Sequence, residues 1–160
     1  MIIIEDTRNQ SGKHKHINAY FALHGIKVVR SKMLVGDYQI ANDGRVAVDT
    51  KKDVLELFMN LGKDHQRFRR ECELAKAADI QLIILTEEEL PGGRIDNWVS
   101  PKFKSSTAYH TAGTPKSKAN PHTMRKIMIT MTKKYGVVFK FCKKEDAGAK
   151  VVELLLSGRG

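Results

Sequence analysis

Short apolar runs alternate along the chain with segments whose apolar residues recur at helical spacing. Residues 2–5 indicate a buried strand, and residues 81–86 (Gln-Leu-Ile-Ile-Leu-Thr) indicate a central strand that is covered on both faces. Further strands are predicted at 26–30 and 136–141, and helices are predicted at 13–24, 53–61, 63–79, 121–134 and 145–157. This alternation predicts an α/β fold in which helices flank a mixed central β-sheet.

Residues 35–52 (VGDYQIANDGRVAVDTKK) predict a β-hairpin, because apolar and polar residues alternate on both sides of an Asn-Asp-Gly turn that favours positive φ. Charged residues interrupt this pattern at the strand ends. Asp37 starts the first strand, and Asp49 and Lys51 end the second. Since alternate residues of a strand point to the same face, Asp49 and Lys51 are expected to share a face.

Residues 87–120 show neither the helical spacing nor the strand-like alternation of apolar residues. They contain Pro91-Gly92-Gly93 and then a segment rich in Lys, Ser, Thr and Gly with isolated aromatic residues. A connection of this length without regular structure is usually functional or disordered. We therefore predict a single domain over residues 1–160, with a core at 2–86 and 121–157 and a long basic loop at 87–120.

The composition excludes several classes of protein. No apolar run approaches the ~20 residues that span a membrane, and the N-terminus lacks the features of a signal peptide. Cys72 and Cys142 form no CxxC pair, which argues against a disulfide framework and a cysteine-based metal site. We therefore expect a cytoplasmic protein with no membrane partner.

The charge distribution points to a polyanionic partner. The chain has a formal net charge of +10, yet residues 1–100 hold 15 basic and 15 acidic side chains. Residues 101–134 hold eight basic and no acidic side chains. Uncompensated charge on one segment is what neutralisation of a phosphate backbone requires, so contact with nucleic acid is favoured over a merely solvated loop.

Four charged residues fall at the ends of predicted strands, where α/β sheets tend to place their sites. They are Asp6, Asp37, Asp49 and Lys51. Carboxylates that converge repel one another unless a cation lies between them, and hard oxygen ligands suit Mg²⁺ or Mn²⁺ rather than zinc. A neighbouring ammonium can orient water or stabilise charge on phosphorus. This set predicts metal-assisted hydrolysis of a phosphodiester.

The order and spacing of these residues resemble a known family. Gly36-Asp37, a hairpin-length gap and Asp49-Thr50-Lys51 form the spacing of the restriction-endonuclease-like PD-(D/E)xK fold. "EDTR" (5–8), "VGDY" (35–38), "VAVDTKKD" (46–53) and "HQRFRRE" (65–71) follow in the order seen in XPF/Hef structure-specific endonucleases, which cut branched DNA. The resemblance covers roughly residues 2–86.

This resemblance implies a role for each matching residue. It implies that Asp6, Asp37 and Asp49 hold the divalent metal, Mg²⁺ or Mn²⁺, and that Lys51 is the catalytic lysine. Arg8 and the arginines Arg67 and Arg70 of the basic helix would contact DNA phosphates. Two departures stand out: the family usually has Glu-Arg-Lys at 49–51, and one of its acidic positions falls on Leu55, with Asp53 or Glu56 as substitutes.

Two other segments carry expectations. His14 and His16 flank Lys15 at the start of a predicted helix, which favours a helix N-terminus that faces phosphate over a zinc pair. Within 101–126, lysines are expected on DNA phosphates and Phe103 or Tyr109 is available to stack an unpaired base, in place of the paired helix–hairpin–helix module that usually follows the nuclease domain in that family. The lysines are Lys102, Lys104, Lys116 and Lys118.

The sequence therefore predicts a Mg²⁺-dependent DNA endonuclease for branched, flap or junction DNA, in repair, recombination or phage DNA processing. A non-catalytic DNA-binding partner subunit of a nuclease remains an alternative, as does a restriction or Holliday-junction nuclease on the same fold. A homodimer is expected, because residues 151–156 are more apolar than one buried stripe requires and family members dimerise through this domain.

Overall fold

The computed structural model describes residues 1–99 and 120–157. Within these ranges, six strands form one sheet: β1 Ile2–Asp6, β2 Lys27–Ser31, β3 Tyr38–Ile40, β4 Asp43–Lys51, β5 Gln81–Thr86 and β6 Val138–Phe141. Five α-helices accompany them: α1 Lys15–Leu23, α2 Val54–Leu61, α3 His65–Ala77, α4 Pro121–Tyr135 and α5 Ala147–Ser157. Every predicted strand and helix is confirmed within a few residues, and so is the mixed α/β sheet.

The strand order brings several chain segments to one edge of the sheet. The order is β2-β1-β3-β4-β5-β6, and only β3 runs antiparallel to its neighbours β1 and β4 among the described strands. The C-terminal ends of β1, β4 and β5 therefore meet the N-terminal end of β3 at the same edge. This edge is where the predicted site residues fall.

Helices cover both faces of the sheet because β4 and β5 alternate apolar side chains between two cores. One core contains Ala47, Leu82 and Ile84 and packs against α2, α3 and α4. The other contains Val48 and Ile83 and packs against α1 and α5. In the described part of the chain, no helix has the length and apolar character needed to cross a membrane.

Close contact between α1 and α5 depends on a glycine. A Cβ atom on Gly148 would lie 2.4 Å from Cβ of Tyr20, so a larger residue there would force the two helices apart. This pair of helices covers the face of the sheet on which Tyr38 and Phe21 pack edge to face, with ring centroids 5.5 Å apart. Helix α1 is thereby fixed beside the start of β3.

Helix termini follow the sequence signals. The Asp53 side chain accepts a hydrogen bond from the Glu56 amide at 2.8 Å, which confirms the predicted cap of α2. Asn120 caps α4, with Pro121 in its first turn, and Gly136 ends that helix in the left-handed conformation at φ 72°. The predicted bounds of these two helices agree with the structure to within one residue.

The segment 87–99 differs from the expectation of a connection without regular structure. It forms two short 3₁₀ turns, Pro91–Gly93 and Ile95–Asn97, and it buries Leu90, Ile95 and Trp98. Trp98 packs edge to face on Phe58 at 4.9 Å, and its indole N–H donates to Glu88 at 2.6 Å. An isolated aromatic in a polar segment is thus a packing anchor that ties the segment to α2.

Candidate active site

The site lies at the sheet edge where β1 and β4 end and β3 begins. Asp6 is the last residue of β1, Asp37 directly precedes β3, and Asp49 lies two residues before Lys51 at the end of β4. All four are at most 8% exposed. The backbone amide of Asp6 donates to the carbonyl of Asp37 at 2.9 Å, and the amide of Asp37 donates to that of Val48 at 2.8 Å. These bonds hold the three segments side by side.

Gly36 allows the backbone conformation that leads into β3 at this edge of the sheet. Its φ is 76°, in the left-handed region that side chains disfavour, and an added Cβ would lie 3.1 Å from Cβ of Ala47 and 3.2 Å from the carbonyl of Val48. Its amide donates to Glu71 of α3 at 2.9 Å. The backbone therefore requires the glycine of the Gly36-Asp37 signature.

The Asp37 carboxylate is held by three donors. Its Oδ2 accepts from the Thr50 amide at 2.8 Å and from the Thr50 hydroxyl at 2.7 Å, and its Oδ1 accepts from the Asn9 side-chain amide at 2.8 Å. Burial favours the neutral acid, but the donors of Thr50 and Asn9 and the nearby His14 outweigh it, so the pKa of Asp37 is lowered. Asp37 is accordingly an anion that the protein has stabilised in place.

Asp49 and Lys51 form a buried ion pair. The Lys51 ammonium lies 2.8 Å from Oδ2 of Asp49, and each side chain is 10% exposed. Burial raises the pKa of Asp49 well above its ordinary value, and the negative charges of Asp37 and Glu71 add to this effect against the opposing ammonium. Burial alone would lower the pKa of Lys51, but the adjacent carboxylate raises it. The prediction that these two residues share a face is confirmed.

Asp6 is joined to Arg8 and to the segment before β3. The guanidinium Nε of Arg8 lies 2.6 Å from Oδ2 of Asp6, and the amide of Met33 donates to Oδ1 at 3.0 Å. Arg8 also donates to the Met33 carbonyl at 3.0 Å. A guanidinium has five N–H donors, so these two contacts leave three for an external anion, and the Arg8 side chain is 54% exposed.

Most of the predicted site residues line one cavity of about 410 Å³. Its lining includes the carboxylates of Asp6, Asp37 and Asp49, together with four basic residues: Arg8, Lys13, Arg67 and Arg70. Arg67 and Arg70 of α3 are exposed, as are Arg8 and Lys13. A cavity with an acidic floor and a basic rim can hold a cation below a phosphate group.

The donor set suits a hard divalent cation, since carboxylate oxygens are the ligands that Mg²⁺ and Mn²⁺ prefer. The pKa of Asp37 is lowered, whereas burial and the nearby charges of Asp37 and Glu71 raise the pKa of Asp49 despite the Lys51 ammonium, so a further cation between the two carboxylates would stabilise both as anions. Within residues 1–99 and 120–157, no three His, Cys, Asp or Glu side chains are close enough to form a ready metal centre. Asp6 and Asp49 are each paired with a basic side chain of the protein instead.

The remaining predicted residues take other positions. His14 is buried and its Nε2 lies 3.8 Å from Oδ2 of Asp37, while His16 contacts Glu87. His14 therefore does not face an external phosphate, because its ring is part of the core beside Tyr38. Lys102, Lys104, Lys116, Lys118, Phe103 and Tyr109 lie outside the described residues.

The acidic substitutes for Leu55 are used locally. Asp53 caps α2, and the Glu56 carboxylate accepts from the Lys52 amide at 3.0 Å. Sequence reasoning did not identify Asn9 or Thr50 as parts of the site. Thr50 stands between the two charged residues of the β4 signature, but nothing in the sequence predicts that its hydroxyl turns to Asp37, and Asn9 has no signal of its own.

In a comparison with protein-family models, residues 6–155 match the model described as the ERCC4 domain. The match extends well beyond residue 86, where the sequence signatures end, and takes in α4, β6 and nearly all of α5. A comparison with curated proteins finds no match.

Solved structures share the fold at low sequence identity. XPF from Aeropyrum pernix matches with a TM-score of 0.68 and 14% identity over 99% of this chain and 66% of that chain. A structure of XPF from Aeropyrum pernix in complex with DNA matches with a TM-score of 0.66 and 11% identity over 98% of this chain and 64% of that one. The present chain thus spans about two thirds of the length of these proteins.

Proposed function

The chain belongs to the ERCC4 domain family, and from this membership we propose that it is a divalent-metal-dependent endonuclease that hydrolyses phosphodiester bonds in branched, flap or junction DNA. The predicted resemblance to the XPF group is confirmed by the family match and the shared fold. One observation carries the proposed activity: the three predicted aspartates and two arginines of α3 line the same cavity at the sheet edge.

The carboxylates form the cation-holding part of the site. Asp6, Asp37 and Asp49 would hold Mg²⁺ or Mn²⁺, which supplies an activated water and neutralises charge at phosphorus when it is bound. Asp37 is best prepared for this role, because its pKa is lowered and its orientation is fixed by three donors. Asp49 and Asp6 would exchange part of their present pairing with Lys51 and Arg8 for contact with the cation.

The basic residues form the phosphate-holding part. Lys51 keeps its proton at neutral pH, because its pKa is raised by the adjacent Asp49, so it acts as a donor that orients water or stabilises charge on a phosphate oxygen. Arg67 and Arg70 project from one face of α3 towards the cavity, and a guanidinium matches two phosphate oxygens at once. Arg8 links the two parts through Asp6.

The test is cleavage of a panel of labelled flap, fork, Holliday-junction and linear duplex substrates by the purified chain with Mg²⁺, with Mn²⁺ and with EDTA. We expect cut products from a branched substrate with either cation and none with EDTA. Asp37→Ala and Lys51→Ala should abolish cleavage while DNA binding persists, and Lys52→Ala, an exposed neighbour, should leave cleavage intact. Full activity of either site variant, or cation-independent cleavage, would contradict the proposal.

The same panel separates the alternatives. A non-catalytic partner subunit would bind DNA but give no cleavage with either cation, and a restriction-type nuclease would cut linear duplex as well as branched DNA. The predicted role of the basic segment is tested by neutralising Lys102, Lys104, Lys116 and Lys118 together. We expect weaker DNA binding with a smaller dependence on salt, because phosphate contacts release counterions.

A homodimer is part of the proposal and has its own support. Val151, Leu154 and Leu155 of α5 are buried in the core, but Leu156 is 66% exposed on the same helix. A groove of about 420 Å³ also exposes Ile129 and borders Phe139 on the edge strand β6. Light scattering at micromolar concentration should give the mass of two chains, and a monomer would contradict this part.

A further inference from the structure

Thr50 makes two hydrogen bonds to a single atom of the site. Its backbone amide and its hydroxyl lie 2.8 Å and 2.7 Å from Oδ2 of Asp37, and Thr50 itself is 2% exposed. A carboxylate oxygen has two lone pairs in its plane, so both lone pairs of this oxygen are used. Oδ2 is therefore occupied by the protein.

The other oxygen of Asp37 is in a different situation. Oδ1 accepts one hydrogen bond, at 2.8 Å, from Asn9, and no other donor to it is found among residues 1–99 and 120–157. Asn9 and Asp37 both line the cavity that also contains Asp6 and Asp49. One lone pair of Asp37 thus remains, and it belongs to the oxygen on the side of Asn9.

The environment of His14 agrees with this assignment. Its Nε2 is buried 3.8 Å from Oδ2 of Asp37 and has no hydrogen-bond partner within the described ranges. A buried imidazole nitrogen so close to a carboxylate would normally be bonded to it, since an unpaired buried polar group is costly. The two donors of Thr50 already fill the positions on Oδ2 that His14 would use.

We propose that Thr50 is a positioning residue for the metal site, which locks Oδ2 of Asp37 so that Oδ1 is the atom offered to the cation. Thr50 serves this role because of its place on β4. Its neighbours Asp49 and Lys51 point to the α3 face, and Thr50 turns to the carboxylate that precedes the adjacent strand β3. Strand β4 thereby supplies the Asp49 carboxylate directly and orients the Asp37 carboxylate through Thr50.

This inference depends on the proposed function, because it concerns the same cation site. Its test measures Mn²⁺ binding to the whole chain without DNA, by calorimetry or by the electron paramagnetic resonance signal of free Mn²⁺. Thr50→Val keeps the shape of the side chain and the amide donor but removes the hydroxyl. Loss of such an orienting partner typically costs about 10- to 100-fold in metal affinity, and we expect a loss of this size.

Three further variants complete the design. Thr50→Ser restores the hydroxyl and should restore Mn²⁺ affinity, which a role in packing alone would not predict. Thr50→Ala also removes the hydroxyl but leaves a smaller side chain. It serves as the test variant if Thr50→Val does not fold. Thr130→Val is the matched control, because Thr130 bonds only to the Lys126 carbonyl on the exposed side of α4 among the described contacts.

Cleavage kinetics and DNA binding add a second measurement. We expect Thr50→Val to lower kcat, to leave DNA binding in EDTA unchanged, and to have a melting temperature that differs little from that of Thr50→Ser. Wild-type Mn²⁺ affinity in both Thr50→Val and Thr50→Ala would overturn the inference. If Asp37→Ala also binds Mn²⁺ normally, the proposed function fails with it; if Asp37→Ala loses binding and the Thr50 variants keep it, the role of Thr50 alone fails.

Discussion

The ammonium of Lys51 lies 2.8 Å from Oδ2 of Asp49, and both side chains are nine-tenths buried at the end of β4. A pair in this position contributes little net stability, because the cost of desolvating two charges offsets most of their attraction. Removing one partner is different, since it leaves the other charge buried alone. The pair therefore holds a lysine and a carboxylate together at the end of β4, where we propose that a cation and a phosphate bind.

Lys51→Met should destabilise the fold by about 3–5 kcal/mol, because it leaves Asp49 without its counter-ion. The pKa of Asp49 is already raised in the folded chain and rises further without Lys51. The folded state then binds more protons than the unfolded state above about pH 4, so the free energy of unfolding falls as pH rises through this window. Urea denaturation at pH 5 and pH 8 should show the larger loss at pH 8.

Lys52→Met is the control for that experiment, because Lys52 is the exposed neighbour of Lys51. Its stability should stay within about 0.5 kcal/mol of wild type at both pH values. A Lys51→Met variant that is as stable as this control, or that loses less stability at pH 8 than at pH 5, would contradict the burial of an ionised pair.

Arg67→Gln with Arg70→Gln should weaken DNA binding and reduce its dependence on salt. Both arginines line the cavity, and each phosphate contact contributes a slope of about 0.9 to the dependence of log K on log salt. The double variant should therefore lower the slope by about 1.8. Arg69→Gln is the matched control, because Arg69 lies on the same helix and pairs with Glu73 at 3.5 Å. Equal slopes for the two variants would contradict contact between α3 and DNA.

Trp98→Ala should destabilise the protein by about 3–5 kcal/mol, the range for removal of a large buried aromatic side chain. The indole is 3% exposed, packs on Phe58 and donates to Glu88. Thermal denaturation followed by circular dichroism measures the loss, with Leu23→Ala as control because Leu23 is 82% exposed. A loss no greater than that of the control would show that residues 87–99 do not pack against α2.

Both cysteines should react slowly with a thiol reagent in the native state. Burial raises the pKa of Cys72 to about 12 and that of Cys142 to about 11, and negative side chains add to each shift. Because the thiolate is the reactive form, modification by dithionitrobenzoate at pH 7.5 should be about 100-fold slower than that of glutathione or more. The same chain in 6 M guanidinium should react at the ordinary rate. Rapid reaction of the native protein would contradict the buried position of Cys72 and the half-buried position of Cys142.

Strand β4 shows how much of the secondary structure can be predicted from the sequence. Alternation from Val46 to Lys51 predicts a strand, the Asn42 turn predicts its start, and the Asp53 cap predicts the helix that follows. These are local properties, in which side-chain period and hydrogen bonding to the nearest backbone groups decide the structure. For the same reason the strands and helices in residues 1–99 and 120–157 agree with prediction within a few residues.

Trp98 and His14 mark where local reasoning ends. Neither has a neighbour in sequence that predicts its burial, because each packs against a distant segment: Trp98 on Phe58, and His14 beside Tyr38. The sequence predicts that Trp98 lies in an irregular connection and that His14 lies at a helix N-terminus that faces phosphate. Both corrections have one cause. Whether these side chains are buried depends on which distant segments the fold places beside them.

Sequence alone determined the alternating elements, the charged residues at the strand ends and the family signature that connects them. The tertiary structure decided how those charges are paired: Asp37 with Thr50 and Asn9, Asp49 with Lys51, and Asp6 with Arg8. A signature fixes which residues reach one edge of a sheet, because strand direction and period follow from local pattern. Which oxygen meets which donor depends on ångström-scale distances between β1, β3 and β4, and only packing of the whole sheet sets those distances.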